Sequence, residues 1–396
     1  MNEPSSGRPG ALRFISQPEA YIPILLDMQG ELGALASLDE ASWKHTLPHL
    51  QIRPRDLRHE QGANVSAEAV IDKISHQLRS HALYLDPAGL RRRSAGEGAD
   101  LRFVEELLEN ADGLLNFRPV YLLGQTELRA AVLGSARRHG AMIRVHLDRM
   151  QELDLAPNGA VERELEPFRR EGIELEVILD LGFLDPSSAV SAAFVTKIVR
   201  EFHSCKWFSS ITLAATSVPV TISKYVTELT IHGLRRRELD LYRALAAAMP
   251  DVRFADYGVQ NCLAPDPVHA SHMVASARLT LREFTFYSRG KGALLDLPRA
   301  EKVQQYRDIA TRLFEHPWFE GKERCCVADG IIEDCAGGAI EILNQNRWRY
   351  VGTRHHIPVV LADLAAIRRG RTVVARPPKS RQLPRGVEVE VGPYPR

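Results

Sequence analysis

Residues Met142–Asp148 read MIRVHLD, and the alternation in that stretch decides how the chain is read. Successive side chains of a strand point to opposite faces. Ile143, Val145 and Leu147 therefore make one apolar face, and Arg144, His146 and Asp148 make the other. In a barrel these become a face covered by helices and a face turned to the axis. By the same rule ALYLD sends Tyr84 and Asp86 inward, LEVILD sends Glu176 and Asp180 inward, and LPHLQI sends His49 and Gln51 inward.

Outward from that stretch, short apolar runs alternate with segments of helical period from Tyr21 onward, which is the rhythm of βα units. Candidate strands begin at Tyr21, Thr46, Ala82, Pro119, Met142, Leu175, Ser210 and Val252. Eight strands close a (β/α)8, TIM-barrel-like fold within roughly 250 residues. The intervening helices carry their own signals. TELRAAVLGSARRHG starts on a Thr and stops at a Gly, and RRRELDLYRALAAAMP ends against a Pro. A doubly wound open sheet is the alternative, because unit lengths vary and a loose insert runs from Arg91 to Asp100.

The organisation expected is a flexible N-terminus over 1–20, a barrel over 21–260, a C-terminal α+β appendage over 261–367 and a basic tail over 368–396. The appendage reading rests on ARLTLREFTFYSR, which alternates like one antiparallel strand, and on the helical AEKVQQYRDIATRLFE. The tail, rich in Arg and Pro, cannot bury enough apolar area to fold alone. It is the part suited to nonspecific, salt-sensitive contact with nucleic acid or to a protein partner.

A chain of 396 residues with 44% hydrophobic content can build an ordinary core. Lys plus Arg (51) balances Asp plus Glu (50), so no polyelectrolyte character points to nucleic acid or membrane. Five cysteines at scattered spacing, with no signal-like segment and no membrane-length apolar run, place the expectation at free thiols in the cytoplasm.

A barrel interior is ordinarily apolar, and a buried charge costs several kcal/mol unless paired. Arg144, His146, Asp86, Glu176 and Asp180 therefore need a reason. One reason is a purely structural salt-bridge network. The other is function: Asp86, Asp148, Asp180 and Asp256 end strands, and barrel enzymes place their sites at the C-terminal mouth. Such carboxylates can hold a divalent metal ion, or two of them can serve as acid and base on a glycosidic or phosphate ester bond. The catalytic candidates are Asp86, Asp180, Asp256 and His355, and the substrate-binding candidates are Arg144, His146, Gln51 and Arg289.

Other motifs are weaker. YSRGKG, from Tyr287, offers glycines and basic residues of an anion-binding loop without P-loop spacing. Ser217 lacks a nucleophile elbow and reads as a strand-end turn. Cys325, Cys326 and Cys335, with His355 and His356 downstream, contain no CxxC pair, so spacing assigns no zinc site.

YIPILLDMQGELGALASL near the start, ILDLG, FADYG, YSRG and WRYVGTRHH together resemble the phage and bacterial family called the beta protein family, from Tyr21 to about Leu364. The resemblance implies a barrel-like α/β fold, no established reaction, and a role in conflict between phage and host. This chain departs from the pattern at two places. Met28 and Gln29 stand where a lysine is expected before the Gly-Glu pair, and Gln51 stands where an acid is expected, so chemistry carried there would be altered or lost.

Two functions follow. One is a hydrolase or lyase acting at the mouth on an anionic, phosphate- or sugar-containing small molecule, such as a nucleotide-like one. The other is a non-catalytic protein whose rim or tail engages a protein or nucleic acid. Adjacent side chains diverge on strand or helix, so His355 is expected to face the mouth within reach of Asp86, Asp180, Asp256 or Arg289, with His356 at a helix start pointing away.

Overall fold

A computed structural model describes residues 19–53, 66–78, 81–88, 97–147, 159–185, 190–262, 273–319 and 326–370, with the side chains at 97–100 excepted. The insert around Arg91, Asp148, Cys325 and nearly all of the expected N-terminal and basic tails lie outside the described residues.

Eight parallel strands close into a barrel. Seven follow one another: β1 (Ile22–Leu26), β2 (His49–Gln51), β3 (Ala82–Asp86), β4 (Asn116–Leu122), β5 (Ala141–His146), β6 (Leu175–Phe183) and β7 (Phe208–Thr216). The next, β8 (Ile231–Arg235), leaves the barrel, and β9 (Arg253–Asp256) closes it by pairing with both β7 and β1. The (β/α)8 expectation is correct.

The helices in this part are α1 (Gln29–Ala36), the single turn α2 (Glu40–Trp43), α3 (Ala67–Leu78), α4 (Glu97–Ala111), α5 (Arg129–His139), α6 (Ala160–Arg170), α7 (Ala192–Ser204) and α8 (Arg237–Ala248). Local chemistry sets their ends. Ser191 caps α7 by accepting from Phe194 N, worth about 1 kcal/mol. Arg137, Arg138 and His139 sit at the negative end of the α5 dipole. Gly140 then reverses the chain at φ 70°, where a Cβ would meet the Glu174 carbonyl at 2.9 Å.

Parity governs the packing. Ile143, Val145 and Leu147 join the helices in an outer core, with Val70, Ile74, Val132 and Phe168. Ile22, Ile24, Val120, Met142, Ile178, Ala214 and Ala255 form a thin apolar belt inside the barrel. Polar layers lie above and below that belt.

The appendage is a three-stranded antiparallel sheet in the order β10 (Ser276–Leu281), β11 (Phe284–Arg289), β8, together with α9 (Arg299–Phe314), α10 (Val327–Ala336) and α11 (Gln345–Arg368). The stretch expected as one strand is a hairpin. Arg282, at φ 55°, breaks it, and Leu281 faces Phe284 across the turn. β8 is an element the sequence did not announce, and it comes from within the segment assigned to the barrel. Helix α11 serves two cores: Trp348 and Val351 pack in the appendage, and Ile357, Val360 and Leu364 pack in the barrel's outer core. Among the described residues no helix is long and apolar enough to cross a membrane.

Candidate active site

The C-terminal ends of β2, β3, β5, β6 and β9 deliver a buried polar layer to the axis, with Arg144 at its centre. Its Nε donates to Asp180 Oδ2 at 2.9 Å, its Nη1 to Asp86 Oδ2 at 2.7 Å and Gln51 Oε1 at 2.9 Å, and its Nη2 to Tyr257 Oη at 2.8 Å. A further ion-pair contact joins Nη2 to Asp180 Oδ2 at 2.8 Å. Every nitrogen of this guanidinium is engaged by a side chain, so in this structure Arg144 directs no free N–H to an incoming anion.

Both carboxylates are oriented from behind. Asp180 Oδ1 accepts from Gly182 N and Asp86 Oδ1 from Ala88 N. Tyr257 Oη donates to Asp180 Oδ2 at 2.6 Å, and His146 Nδ1 lies 3.3 Å from the same oxygen. His49 Nε2 donates to Asp86 Oδ2 at 2.8 Å. Burial alone would raise these two acids. For Asp86 the His49 and Arg144 contacts outweigh it, and for Asp180 the Arg144, His146 and Tyr257 contacts do, so both are held below the usual carboxylate range. Burial lowers His49 against the pull of Asp86 and keeps it neutral. His146, 8% exposed, is the layer's most accessible titratable group.

Glu31 was not singled out by sequence. It sits in the first turn of α1, which leaves the C-terminal end of β1, and its buried carboxylate has no side-chain hydrogen-bond partner among the described residues. Burial lifts its pKa to about 7, against the pull of Arg349, the Leu26 backbone amide and Arg53. Cys262 feels the charges of Glu31, Arg144, Asp180 and Asp86 together, so the four converge on one end of the barrel. α11 closes over α1 there, with Gly30 lying against the backbone of Asn346 and Tyr350 so tightly that no Cβ fits.

A second polar layer occupies the opposite end. Glu176 accepts from Tyr84 Oη at 2.5 Å, Ser210 Oγ at 2.9 Å and Arg253 Nη1 at 3.3 Å, and pairs with Arg118 Nη1 at 3.2 Å. Arg118 also reaches the half-exposed Glu174 at 2.9 Å. Arg253 Nε bonds Thr212 Oγ1.

Several expected positions are corrected. Asp256 does not join the mouth carboxylates. In RFADY it is Arg253, Ala255 and Tyr257 that face inward, so Asp256 turns to the helix layer, where it accepts from Tyr21 Oη at 2.5 Å. His356 Nε2 lies 3.0 Å from Asp256 Oδ2, and its Nδ1 lies 2.7 Å from Thr280 Oγ1. The contact with Asp256 expected of His355 is made by His356 instead, on the helix side of the barrel wall and not at the mouth. His355 lies away from Asp86, Asp180, Asp256 and Arg289, with Nδ1 at 2.7 Å from Asp329 Oδ1, 3.8 Å from Cys326 Sγ, and Nε2 at 2.7 Å from the Thr280 carbonyl. Burial would lower His355, but Asp329 and Cys326 outweigh it and raise it to about 10. The physical reason for the difference is that helix α11 begins at Gln345, so both rings lie on a packed helix and docking decides their faces.

Arg289 bonds the Val226 carbonyl and faces Glu228 at 3.8 Å, lining a hollow of about 570 Å³ with Lys224, Tyr225 and His232. Lys291 N in the glycine-rich turn is taken by Gln305 Oε1. Ser217 donates to Glu238 at 2.5 Å in the turn after β7. The ring of four carboxylates expected for a divalent ion is not formed by the described residues: Asp86 and Asp180 face Arg144, whose charge stands where a cation would, and Asp256 is on the other side of the wall.

Fold and site together define a (β/α)8 protein with a charged layer at the C-terminal ends of its strands. The chain belongs to the Beta protein family, whose model matches residues 21–362. Among curated proteins none matches it. A protein from Coccidioides immitis, provisionally assigned as a fructose-1,6-biphosphate aldolase, is similar at 8% identity and TM-score 0.41, over 88% of this chain and 92% of that one. A GH10 xylanase from Thermobacillus composti is similar at 11% identity and TM-score 0.35, over 61% and 84%. The carboxyl transferase domain of Rhizobium etli pyruvate carboxylase is similar at 12% identity and TM-score 0.35, over 63% and 42%. At that level of likeness none of the three bears on the reaction.

Proposed function

We propose that this protein is a hydrolase acting at the barrel mouth on a sugar-containing substrate, with Glu31 as proton donor and His146, oriented by Asp180, as the base. The observation carrying this reading is the opposite displacement of carboxyl groups at one end of the barrel. Glu31 keeps its proton to about pH 7, while Asp86 and Asp180 are ionised below the ordinary range. Environments that push titratable groups apart let one site hold an acid and a base at the same pH.

In the reaction, His146 Nε2 takes a proton from water as the water oxygen bonds to the anomeric carbon, and Asp180 at Nδ1 stabilises the imidazolium. The carbon–oxygen bond to the leaving group breaks, and Glu31 gives that oxygen its proton. Solvent then carries the imidazolium proton back to the Glu31 carboxylate. Of the expected substrate classes, hydroxyl-rich neutral ones suit the mouth better than phosphates. Beside Asp86 and Asp180 the guanidinium of Arg144 has its donors spent on those carboxylates, Gln51 and Tyr257, so the layer offers a phosphate no free Arg144 N–H. A setting in phage and host conflict rests on the family resemblance alone and forms part of the proposal.

The test is a panel of nitrophenyl glycosides and nitrophenyl phosphates presented to the full chain and to His146→Gln and Glu31→Gln. Turnover of a glycoside by the wild type, falling roughly 10²–10⁴-fold in each variant, is expected. A folded wild type that hydrolyses no glycoside, or variants that keep its rate, would overturn the reading and leave partner binding as the function.

A further inference from the structure

A cluster in the appendage takes no part in that reaction. Cys326 stands at the N-cap of α10, Asp329 in its first turn, and His355 on the facing side of α11. One ligand-type atom from each converges, all within 4.8 Å of one another, and no other such triple of His, Cys, Asp or Glu occurs among the described residues. Two further observations point to an ion. His355 Nε2 donates to the Thr280 carbonyl, the tether that fixes the tautomer of a ligating imidazole and leaves Nδ1 facing Cys326 and Asp329. Asp329 is fully buried, yet its Oδ2 has no hydrogen-bond partner. A buried carboxylate oxygen left unsatisfied in a native fold requires an explanation.

We propose that Cys326, Asp329 and His355 form a mononuclear divalent metal site of the zinc class, with a fourth position on the side of the partly exposed Cys326 for water. One thiolate, one imidazole and one carboxylate suit zinc. Tetrahedral zinc at ordinary bond lengths sets its sulfur and nitrogen ligands about 3.6 Å apart and its nitrogen and oxygen ligands about 3.4 Å apart. The protein already holds Sγ and Nδ1 at 3.8 Å, and Nδ1 and Oδ1 at 2.7 Å. Uptake needs the second pair to open as its shared proton is replaced by the ion. The exchange balances: M²⁺ enters, and the thiol proton of Cys326 and the Nδ1 proton of His355 leave as two H⁺. The ion would join α10 and α11 directly and β10 through Thr280.

The full chain, stripped of metal with chelator, is titrated with Co²⁺ and then Zn²⁺, following the cobalt–thiolate charge-transfer band, metal bound per chain and the melting temperature. One equivalent per chain, a tetrahedral thiolate spectrum and a higher melting temperature are expected. All three should be lost in Cys326→Ser, at a half-buried position, and in Asp329→Asn, which keeps side-chain size and a hydrogen-bond acceptor. Cys205→Ser, at the end of α7, should bind like the wild type. No uptake by the wild type, or equal uptake by Cys326→Ser and Asp329→Asn, would show instead a His–Asp ion pair with a thiol beside it. Turnover is not a readout, so failure here is separate from failure of the hydrolase reading.

Discussion

The two ends of the barrel bury charge in different proportions. At the N-terminal end a single carboxylate, Glu176, lies between two guanidiniums, Arg118 and Arg253, with Tyr84 and Ser210 filling its remaining acceptor sites. At the C-terminal end two carboxylates share Arg144, and Glu31 beside them stays neutral to about pH 7. The first arrangement is neutralised with the help of Glu174 and has no group poised to exchange a proton near neutrality. In the proposed reading the second keeps a donor, Glu31, and a base, His146. Buried charge alone therefore does not distinguish the two ends; the difference in proton capacity does.

The largest expected effect breaks the N-terminal layer. Glu176→Ala leaves Arg118 and Arg253 buried without their carboxylate and should cost about 3–5 kcal/mol in urea unfolding. Any turnover per folded molecule should stay unchanged. A drop in turnover greater than the folded fraction explains would mean that this end takes part in function.

Next comes the pH dependence of Glu31. Its folded pKa of about 7 lies above its ordinary value of 4.5, so the folded state keeps a proton the unfolded chain has released. Stability contributed at low pH is thus lost as pH rises from about 4.5 to about 7. Glu31→Gln does not titrate, so its stability relative to wild type should improve by roughly 2–3 kcal/mol between about pH 5 and about pH 8. A difference that is flat with pH would place Glu31 in contact with water and remove it as the proton donor.

The smallest effect is a matched pair. Tyr84→Phe and Tyr257→Phe each delete one hydroxyl bonded to a buried carboxylate and should each cost about 1.5–3 kcal/mol. Only Tyr257→Phe should shift the pH profile of turnover, because its hydroxyl is one of the groups keeping Asp180 ionised. Equal shifts from both would erase the distinction between the two ends.

Much of this was legible because strand parity is a local rule. It brought Arg144, Asp86, Asp180, His49, Gln51 and Glu176 to the axis without reference to anything distant. The same rule, applied to RFADY, would have preferred Tyr257 to Asp256; the attraction of a carboxylate at a strand end overrode it. Glu31 was illegible for a different reason. Its burial depends on α11 closing over Gly30, a contact more than 300 residues away in sequence. The two histidines failed likewise, since a helix fixes the angle between neighbours but not which neighbour faces which core.

The double membership of α11 has a consequence for how the molecule is made. Its last turns fill the barrel's outer core with Ile357, Val360 and Leu364, although the final barrel strand ends at Asp256. During synthesis all eight strands emerge while part of their helical cover is still missing, and the exposed apolar face must wait for a segment about 100 residues downstream. The barrel and the end of α11 therefore form one unit of folding, and a chain cut after Asp256 would leave that apolar face uncovered.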